Sequence, residues 1–137
     1  MPHLAIDYSS RLAGVLDPGT LARELHPLVV GESGSTGVCK TLFRPVETYA
    51  GDRTGRETVF VHVEVGLMPG RSEARKARLS ERILTLLAEH LPGDGAVGAV
   101  FSVEVRDLSG SYRLGAVPAR SGGDTAALCR PGAPAPA

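Results

Sequence analysis

Pro2 is the residue of this chain with the most distinctive chemistry, because it directly follows Met1. Initiator methionine is normally removed when the next residue is small, and its loss would leave Pro2 with a free secondary amine. Free α-amino groups in peptides titrate at about pH 7.7–8.0, and burial or nearby cations lower that value. The position therefore predicts a general base and acid at Pro2. The alternative is a Met-Pro start that arose by chance.

Arg71 is the second chemically informative residue. It stands within Val65–Glu73, where a strand-like run meets a Pro-Gly turn and the start of a helix. Helix N-termini present free N–H groups and positive potential, which favour anions. An arginine there can add a bidentate clamp on a carboxylate. The segment predicts a carboxylate-binding site at Arg71, and a surface arginine beside a helix cap is the alternative.

The elements that must position these residues begin with a strand over residues 2–8, which would hold Pro2 in a sheet. Asp17 as N-cap and Pro18 at the first helical position predict the start of a helix. Pro27 lies late in this helix and is expected to kink or end it. The helix carries apolar residues at helical spacing and is followed by stop signals: Leu21, Leu25, Leu28 and Val29, then Gly31 and Gly34.

Two further extended runs, Val38–Tyr49 and Thr58–Leu67, flank the polar segment Gly51–Arg56. This arrangement predicts an antiparallel hairpin. In the second run, alternation predicts that the valines share one face and that Phe60, His62 and Glu64 share the other.

Ser72 is predicted to cap a second, amphipathic helix, which Pro92 and Gly93 would end. Its buried stripe is expected to contain five apolar residues: Leu79, Ile83, Leu84, Leu87 and Leu91. The charged run from Arg75 to Arg82 is interpreted as its solvated face. A last strand over Val97–Leu108 completes the order β-α-β followed by β-α-β, a candidate internal duplication. The fold class is therefore α+β, with a four-stranded mixed sheet and two helices on one face.

Composition sets outer limits on the organisation of the chain. Its 137 residues predict one domain over 1–117 and an Ala/Gly/Pro-rich disordered tail over 118–137. Zero net charge predicts neither a nucleic-acid nor a membrane partner. Without a signal peptide pattern, a cytoplasmic location is expected. Cys39 and Cys129 lack metal-like spacing.

Three segments carry a resemblance to a known family: Met1–Leu4, Phe60–Val63 and Gly70–Lys76. In order and spacing they resemble 5-carboxymethyl-2-hydroxymuconate delta-isomerase, of the tautomerase superfamily, from Pro2 to about Tyr112. The Gly-Arg-Ser stretch also resembles 4-oxalocrotonate tautomerase. The resemblance implies two fused β-α-β units assembled as a homotrimer, an amino-terminal proline base, and arginines that bind substrate carboxylates. It implies no metal and no organic cofactor.

One departure from the family lies at Lys40-Thr41-Leu42. The resemblance implies a basic-x-Arg pair at this place. Lys40 keeps the first positive charge, but Leu42 stands where the arginine is implied. Arg44 follows two residues later on the same face of the strand. We expect Arg71, helped by Lys40 or Arg44, to anchor an enol or keto carboxylate while Pro2 moves the proton. The altered clamp leaves two alternatives. One is altered chemistry, such as a decarboxylase, dehalogenase or biosynthetic tailoring enzyme; the other is a non-catalytic ligand-binding oligomer.

The four histidines show no zinc-like spacing. His62 is interpreted as a hydrogen-bonded structural residue and His3 as structural, while His26 and His90 are assigned surface or cap roles. A sheet this small is also expected to leave an apolar face and open edges that oligomerisation would cover.

Overall fold

The order of elements follows the predicted duplication. The computed structural model describes residues 1–51, 53–91 and 98–120. A short 3-10 turn, Ser10–Leu12, follows the first strand. The main elements are β1 (His3–Ser9), α1 (Pro18–Ser33), β2 (Lys40–Val46), β3 (Thr58–Leu67), α2 (Glu73–His90) and β4 (Gly98–Asp107). The predicted helix end at Pro92, the strand start at Val97, Cys129 and most of the predicted tail lie outside the described residues.

Helix α1 begins where the sequence predicted and continues further. Asp17 caps it, accepting hydrogen bonds from the Thr20 backbone at 3.5 Å and the Thr20 hydroxyl at 2.6 Å. These bonds lower the pKa of the Asp17 carboxyl. The helix runs through Pro27 to Ser33, so the predicted alternative of a helix end at Pro27 was wrong. It ends at Gly34, whose φ of 66° is the left-handed conformation that glycine adopts readily.

The strand order is β2-β1-β3-β4. β1 pairs parallel with β2 and antiparallel with β3, and β3 pairs parallel with β4. The predicted hairpin between the second and third strands was therefore wrong, because β1 lies between them. The connection 47–57 is longer than a tight turn and does not force its flanking strands to be neighbours.

One face of the sheet is buried beneath the two helices. Val61, Val63 and Val65 are at most 1% exposed, which confirms the predicted alternation. They pack with Leu4, Ile6, Leu21, Leu25, Val29, Leu79, Ile83 and Leu87, all at most 1% exposed. Burying each such side chain contributes roughly 1.5–3 kcal/mol. No helix of the described residues is long and apolar enough to cross a membrane.

The other face of the sheet, called here the open face, is mainly polar. By strand alternation it carries His3, Ala5, Asp7, Lys40, Leu42, Arg44, Phe60, His62, Glu64, Val100, Ser102, Glu104 and Arg106. The expected apolar face is thus absent from the described strands, apart from scattered residues such as Leu42 and Val100. Ion pairs join Arg44 to Asp7 and Arg106 to Glu64 across it.

The charged run of α2 is only partly solvated. Lys76 is 8% exposed and contacts Glu73 at 2.5 Å and Asp107 at 3.4 Å. The hydrogen bond from Lys76 to Glu73, together with that to Asp107, raises the pKa of Lys76 against the opposing effect of burial. This residue links the first turn of α2 to the end of β4, so describing the whole run as a solvated face was wrong at this position.

Candidate active site

Pro2 is buried at the N-terminal end of β1. Its carbonyl oxygen accepts a hydrogen bond from the Lys40 backbone N–H at 3.3 Å, at the start of β2. Because His3 pairs with Gly66, Pro2 lies beside the C-terminal end of β3. Pro2 thus lies between the start of β2 and the end of β3, next to the strand that the sequence predicted to hold it.

Met1 occupies the space next to Pro2 against the loop that joins α1 to β2. Gly37, in this loop, has a φ of 95°, and a Cβ at Gly37 would lie 3.3 Å from the Met1 Cγ atom. Burial raises the pKa of the nearby Cys39 thiol, opposed by the positive N-terminus. Removal of Met1 would therefore open a space bordered by Gly37, immediately beside the freed amine.

The guanidinium of Arg71 lies at this same end of the molecule. Its Nε–H donates to the Ser33 carbonyl at 2.9 Å, Nη1 donates to the Met68 carbonyl at 2.9 Å, and Nη2 donates to the Ser35 hydroxyl at 3.0 Å. All three acceptors are neutral, and within the described residues Arg71 makes no ion pair. These bonds use three of the five N–H groups of a guanidinium. Its charge therefore stays available to a bound anion.

The first turn of α2 explains why Arg71 lies here. Ser72 caps the helix as predicted, and its Oγ accepts from the Arg75 backbone N–H at 3.1 Å. Arg75, four residues after Arg71, donates from Nε to the Glu32 carbonyl at 2.8 Å. The two arginines satisfy carbonyls at the C-terminus of α1, where free acceptors and negative potential favour cations. The four-residue spacing of Arg71 and Arg75 is visible in the sequence, but it did not predict their contact with α1.

Lys40 adjoins Pro2 through the backbone, but its side chain leaves from the open face beside His3. Pro2 continues the opposite face, which carries Leu4 and Ile6. Burial lowers the pKa of His3, and the Lys40 ammonium lowers it further. The His3 Nδ1 atom is buried without a hydrogen-bond partner among the described residues.

Arg44 is held away from Pro2 within one chain. Its Nε and Nη2 atoms donate to the two carboxylate oxygens of Asp7 at 2.7 and 2.9 Å. Arg44 pairs with Asp7 in the register, five residues along β1 from Pro2, which is about 16 Å at strand spacing. The bond to Asp7 raises the pKa of Arg44. The structure therefore does not place Arg44 where it would replace the charge missing at Leu42 in the same chain's Pro2 site.

The other histidines have protein partners. His62 Nδ1 lies 2.7 Å from Ser102 Oγ, which confirms the hydrogen-bonded interpretation. His26 Nε2 contacts Thr41 Oγ1 at 2.7 Å. His90 Nε2 contacts the Glu24 carboxylate at 2.5 Å and links the two helices. Across the described part of the chain, no three His, Cys, Asp or Glu side chains converge as a metal site would require.

A cleft of about 600 Å³, which no sequence pattern predicted, lies at the opposite end of β1. Its lining includes Ser9, Arg11, Tyr49 and Glu57. Arg11 Nη1 pairs with the Glu57 carboxylate at 2.8 Å, and both side chains are exposed. Ser9 Oγ contacts Thr48 Oγ1 at 2.6 Å and accepts from the Phe60 backbone N–H at 2.8 Å, which closes the floor of the cleft.

Solved structures show the same fold. The chain is similar to a 5-carboxymethyl-2-hydroxymuconate isomerase from Deinococcus radiodurans R1, with 21% identity and a TM-score of 0.70 over 82% of this chain and 88% of that one. It is also similar to a 5-carboxymethyl-2-hydroxymuconate delta-isomerase, with 23% identity and a TM-score of 0.66 over 96% and 95%. A fused 4-OT, a wild-type symmetric trimer, shares 12% identity with a TM-score of 0.59 over 78% and 87%. Identities this low establish the fold alone.

The sequence itself gives the family. No protein of curated function is a significant match to the chain. The family model for 5-carboxymethyl-2-hydroxymuconate isomerase, however, matches residues 2–118, which is most of the chain and includes Pro2, Lys40 and Arg71. The chain therefore belongs to the 5-carboxymethyl-2-hydroxymuconate isomerase family and is an isomerase.

Proposed function

We propose that this isomerase moves a proton within an enol or keto carboxylate related to 5-carboxymethyl-2-hydroxymuconate, with Pro2 as base and then acid. The observation that carries the proposal is the state of Arg71 beside the N-terminus. Its positive charge is held by three neutral acceptors and has no carboxylate partner within the described residues. Family membership supports the reaction class.

Loss of Met1 supplies the proton carrier in this scheme. The free Pro2 nitrogen accepts a proton from the enol substrate and returns it to a different atom of the conjugated chain, so the amine ends in its starting state. Free α-amino groups in peptides titrate at about pH 7.7–8.0, so a fraction of such an amine is unprotonated near neutral pH and can act as the base.

Arg71 anchors the substrate carboxylate and stabilises the negative charge that develops on the enolate-like intermediate. Its two remaining N–H groups suit a carboxylate oxygen pair. Lys40 begins β2 directly beside Pro2, but its side chain leaves from the open face, so it is not a second anchor at the Pro2 of its own chain. Arg44 would reach a substrate only from a neighbouring copy of the chain, because its own Pro2 is about 16 Å away.

We also propose that the chain assembles as a homotrimer. β2 and β4 are the edges of the sheet, and the open face is covered by neither helix. Assembly would pair the edges and bury the charged rows of the open face. The likeness to a fused 4-OT that is a symmetric trimer supports this number of copies. Light scattering after size-exclusion chromatography would give the mass directly, and a monomer would contradict the proposal.

The decisive experiment follows the ultraviolet absorbance of 2-hydroxymuconate during ketonisation. Protein without Met1, checked by intact mass, is compared with the Pro2→Ala variant. We expect kcat to fall roughly hundredfold or more, the usual contribution of a positioned acid–base group. Equal activity in both proteins, with the fold intact, would contradict the Pro2 mechanism and favour a non-catalytic role.

A further inference from the structure

The loop that leaves α1 is fixed by two buried serines. Ser33 is 2% exposed and Ser35 is 9% exposed. The Ser33 hydroxyl donates to the Ser35 Oγ at 2.7 Å, and the Ser35 backbone N–H donates to the Ser33 Oγ at 3.3 Å. These two bonds set the direction of the Ser35 hydroxyl oxygen. The Ser35 oxygen accepts a further hydrogen bond from a cationic side chain.

That cation is Arg71, whose Nη2 atom donates to Ser35 Oγ at 3.0 Å. The bond from Nε to the Ser33 carbonyl comes from the same short segment. Because a guanidinium is planar, contacts at Nε and Nη2 together fix its plane as well as its position. Without the Ser35 hydroxyl, the head group would keep its bonds at Nε and Nη1 but lose the acceptor at Nη2.

We propose that Ser35 is a positioning residue, which orients the Arg71 guanidinium so that its free N–H groups meet the substrate carboxylate beside Pro2. This inference rests on the proposed function. Ser35 also precedes Gly37 by two residues, so the same anchor sets the loop that borders the space next to Pro2. The neighbouring Arg75 binds Glu32 without Ser35 and does not share this dependence.

A double-mutant cycle tests the proposal with Met1-free protein and 2-hydroxymuconate. The variants are Ser35→Ala, Arg71→Ala and the two combined, with Ser80→Ala as the matched control. Ser80 also loses a hydroxyl, which bonds the Ala77 carbonyl on the surface of α2 at 2.7 Å. We expect Ser35→Ala to lower kcat/KM by about tenfold, mainly through KM, as the loss of one hydrogen bond to a charged group allows. In the Arg71→Ala background the same change should have no further effect.

The outcomes separate the two proposals. Wild-type kinetics for Ser35→Ala, with Arg71→Ala impaired, would overturn the positioning role and leave the proposed function intact. An equal loss of kcat/KM from Ser35→Ala in the wild-type and Arg71→Ala backgrounds would also overturn the positioning role, because Ser35 would then act independently of Arg71. Wild-type kinetics for Arg71→Ala would overturn the carboxylate anchor itself, and this inference with it.

A spectroscopic readout does not depend on turnover. The Arg71 Nε–H resonance, assigned by its loss in Arg71→Lys, should be sharp and slow to exchange in the parent protein. We expect it to broaden in Ser35→Ala and to stay sharp in Ser80→Ala. An unchanged resonance in Ser35→Ala would show that Ser35 does not hold the head group, and would overturn the proposal even if the substrate were different.

Discussion

The two ends of the central strands carry similar residues in different electrical states. β3 leads to Arg71 at the Pro2 end, and β1 leads to Arg11 at the far end. Arg11 is neutralised by Glu57, which immediately precedes β3. Within the described part of the chain, Arg71 is held by two carbonyls and a hydroxyl, without a carboxylate. Each β-α-β unit thus supplies one arginine. Among the described residues, Arg11 forms an ion pair and Arg71 does not.

The residues that begin the two β-α-β units also differ in their chemistry. Pro2 precedes β1 and gains a free amine if Met1 is lost, whereas Glu57 and Thr58 begin the second unit inside the chain. The far end also contains the roomy cleft of about 600 Å³. This cleft therefore lies at the opposite end of the sheet from Pro2 and Arg71, the residues that we propose for catalysis.

The largest expected effect is a difference between the two arginines. Arg71→Ala should lower kcat/KM for 2-hydroxymuconate by roughly hundredfold, because a charged anchor is lost. Arg11→Ala should stay within about twofold, since an exposed pair such as Arg11–Glu57 contributes at most about 1 kcal/mol. Similar losses in both variants would remove the distinction between the ends.

Two loop glycines, one at each end of the sheet, provide a second comparison of the two ends. Gly37 and Gly55 both have positive φ, at 95° and 78°. Substitution of either by Ala should lower the free energy of unfolding by about 1–2 kcal/mol because the left-handed conformation strains an L residue. Only Gly37→Ala should also lower kcat/KM, by about tenfold, because the new methyl borders the space beside Pro2. Parallel urea melts and kinetics would check this, and equal kinetic effects would contradict it.

Ser9 provides a test confined to the far end. It is 3% exposed, and its hydroxyl contacts Thr48 and accepts the Phe60 N–H. Ser9→Ala should lower the free energy of unfolding by about 1 kcal/mol, since the part-buried Phe60 N–H loses its acceptor. Substrate kinetics at a temperature well below the unfolding midpoint should be unchanged. A loss of kcat/KM matching that of Arg71→Ala would indicate that the far end takes part in the reaction.

The smallest expected effect concerns pH and His3. Burial and Lys40 lower the pKa of folded His3 below its ordinary value of 6.5. The unfolded chain then binds more protons, so this contribution to stability is fully present above about pH 6.5 and is lost as pH falls toward the folded pKa. His3→Asn should flatten the dependence of unfolding midpoints between pH 7.5 and 5.5. A steeper slope in the variant would contradict this assignment.

Local patterns predicted the elements well because their causes are local. The caps at Asp17 and Ser72 and the alternating valines of β3 follow from residues a few positions apart. The strand order did not follow from such patterns, because pairing β3 with β1 depends on contacts between distant segments. Gly34 ends α1, whereas Pro27 does not, since tertiary packing of Leu25 and Val29 holds the helix across the proline.

The candidate site shows the same limit. Pro2 and Arg71 were identified from position and motif, and the structure brings both to one end of the sheet. Strand alternation placed Arg44 on the correct face. Its distance from Pro2, however, could be obtained only from the register that pairs Arg44 with Asp7. Ser33 and Ser35 carried no sequence signal for their role, because their bonds to Arg71 join residues 36 to 38 positions apart.

The packing of Met1 against Gly37 has a consequence for how the protein is made and handled. If Pro2 is the base, a chain that still carries Met1 would be folded but inactive, and removal of Met1 by an aminopeptidase would activate it. Any N-terminal fusion or affinity tag would mimic the silent form. A tag at the other terminus, by contrast, leaves that cut possible.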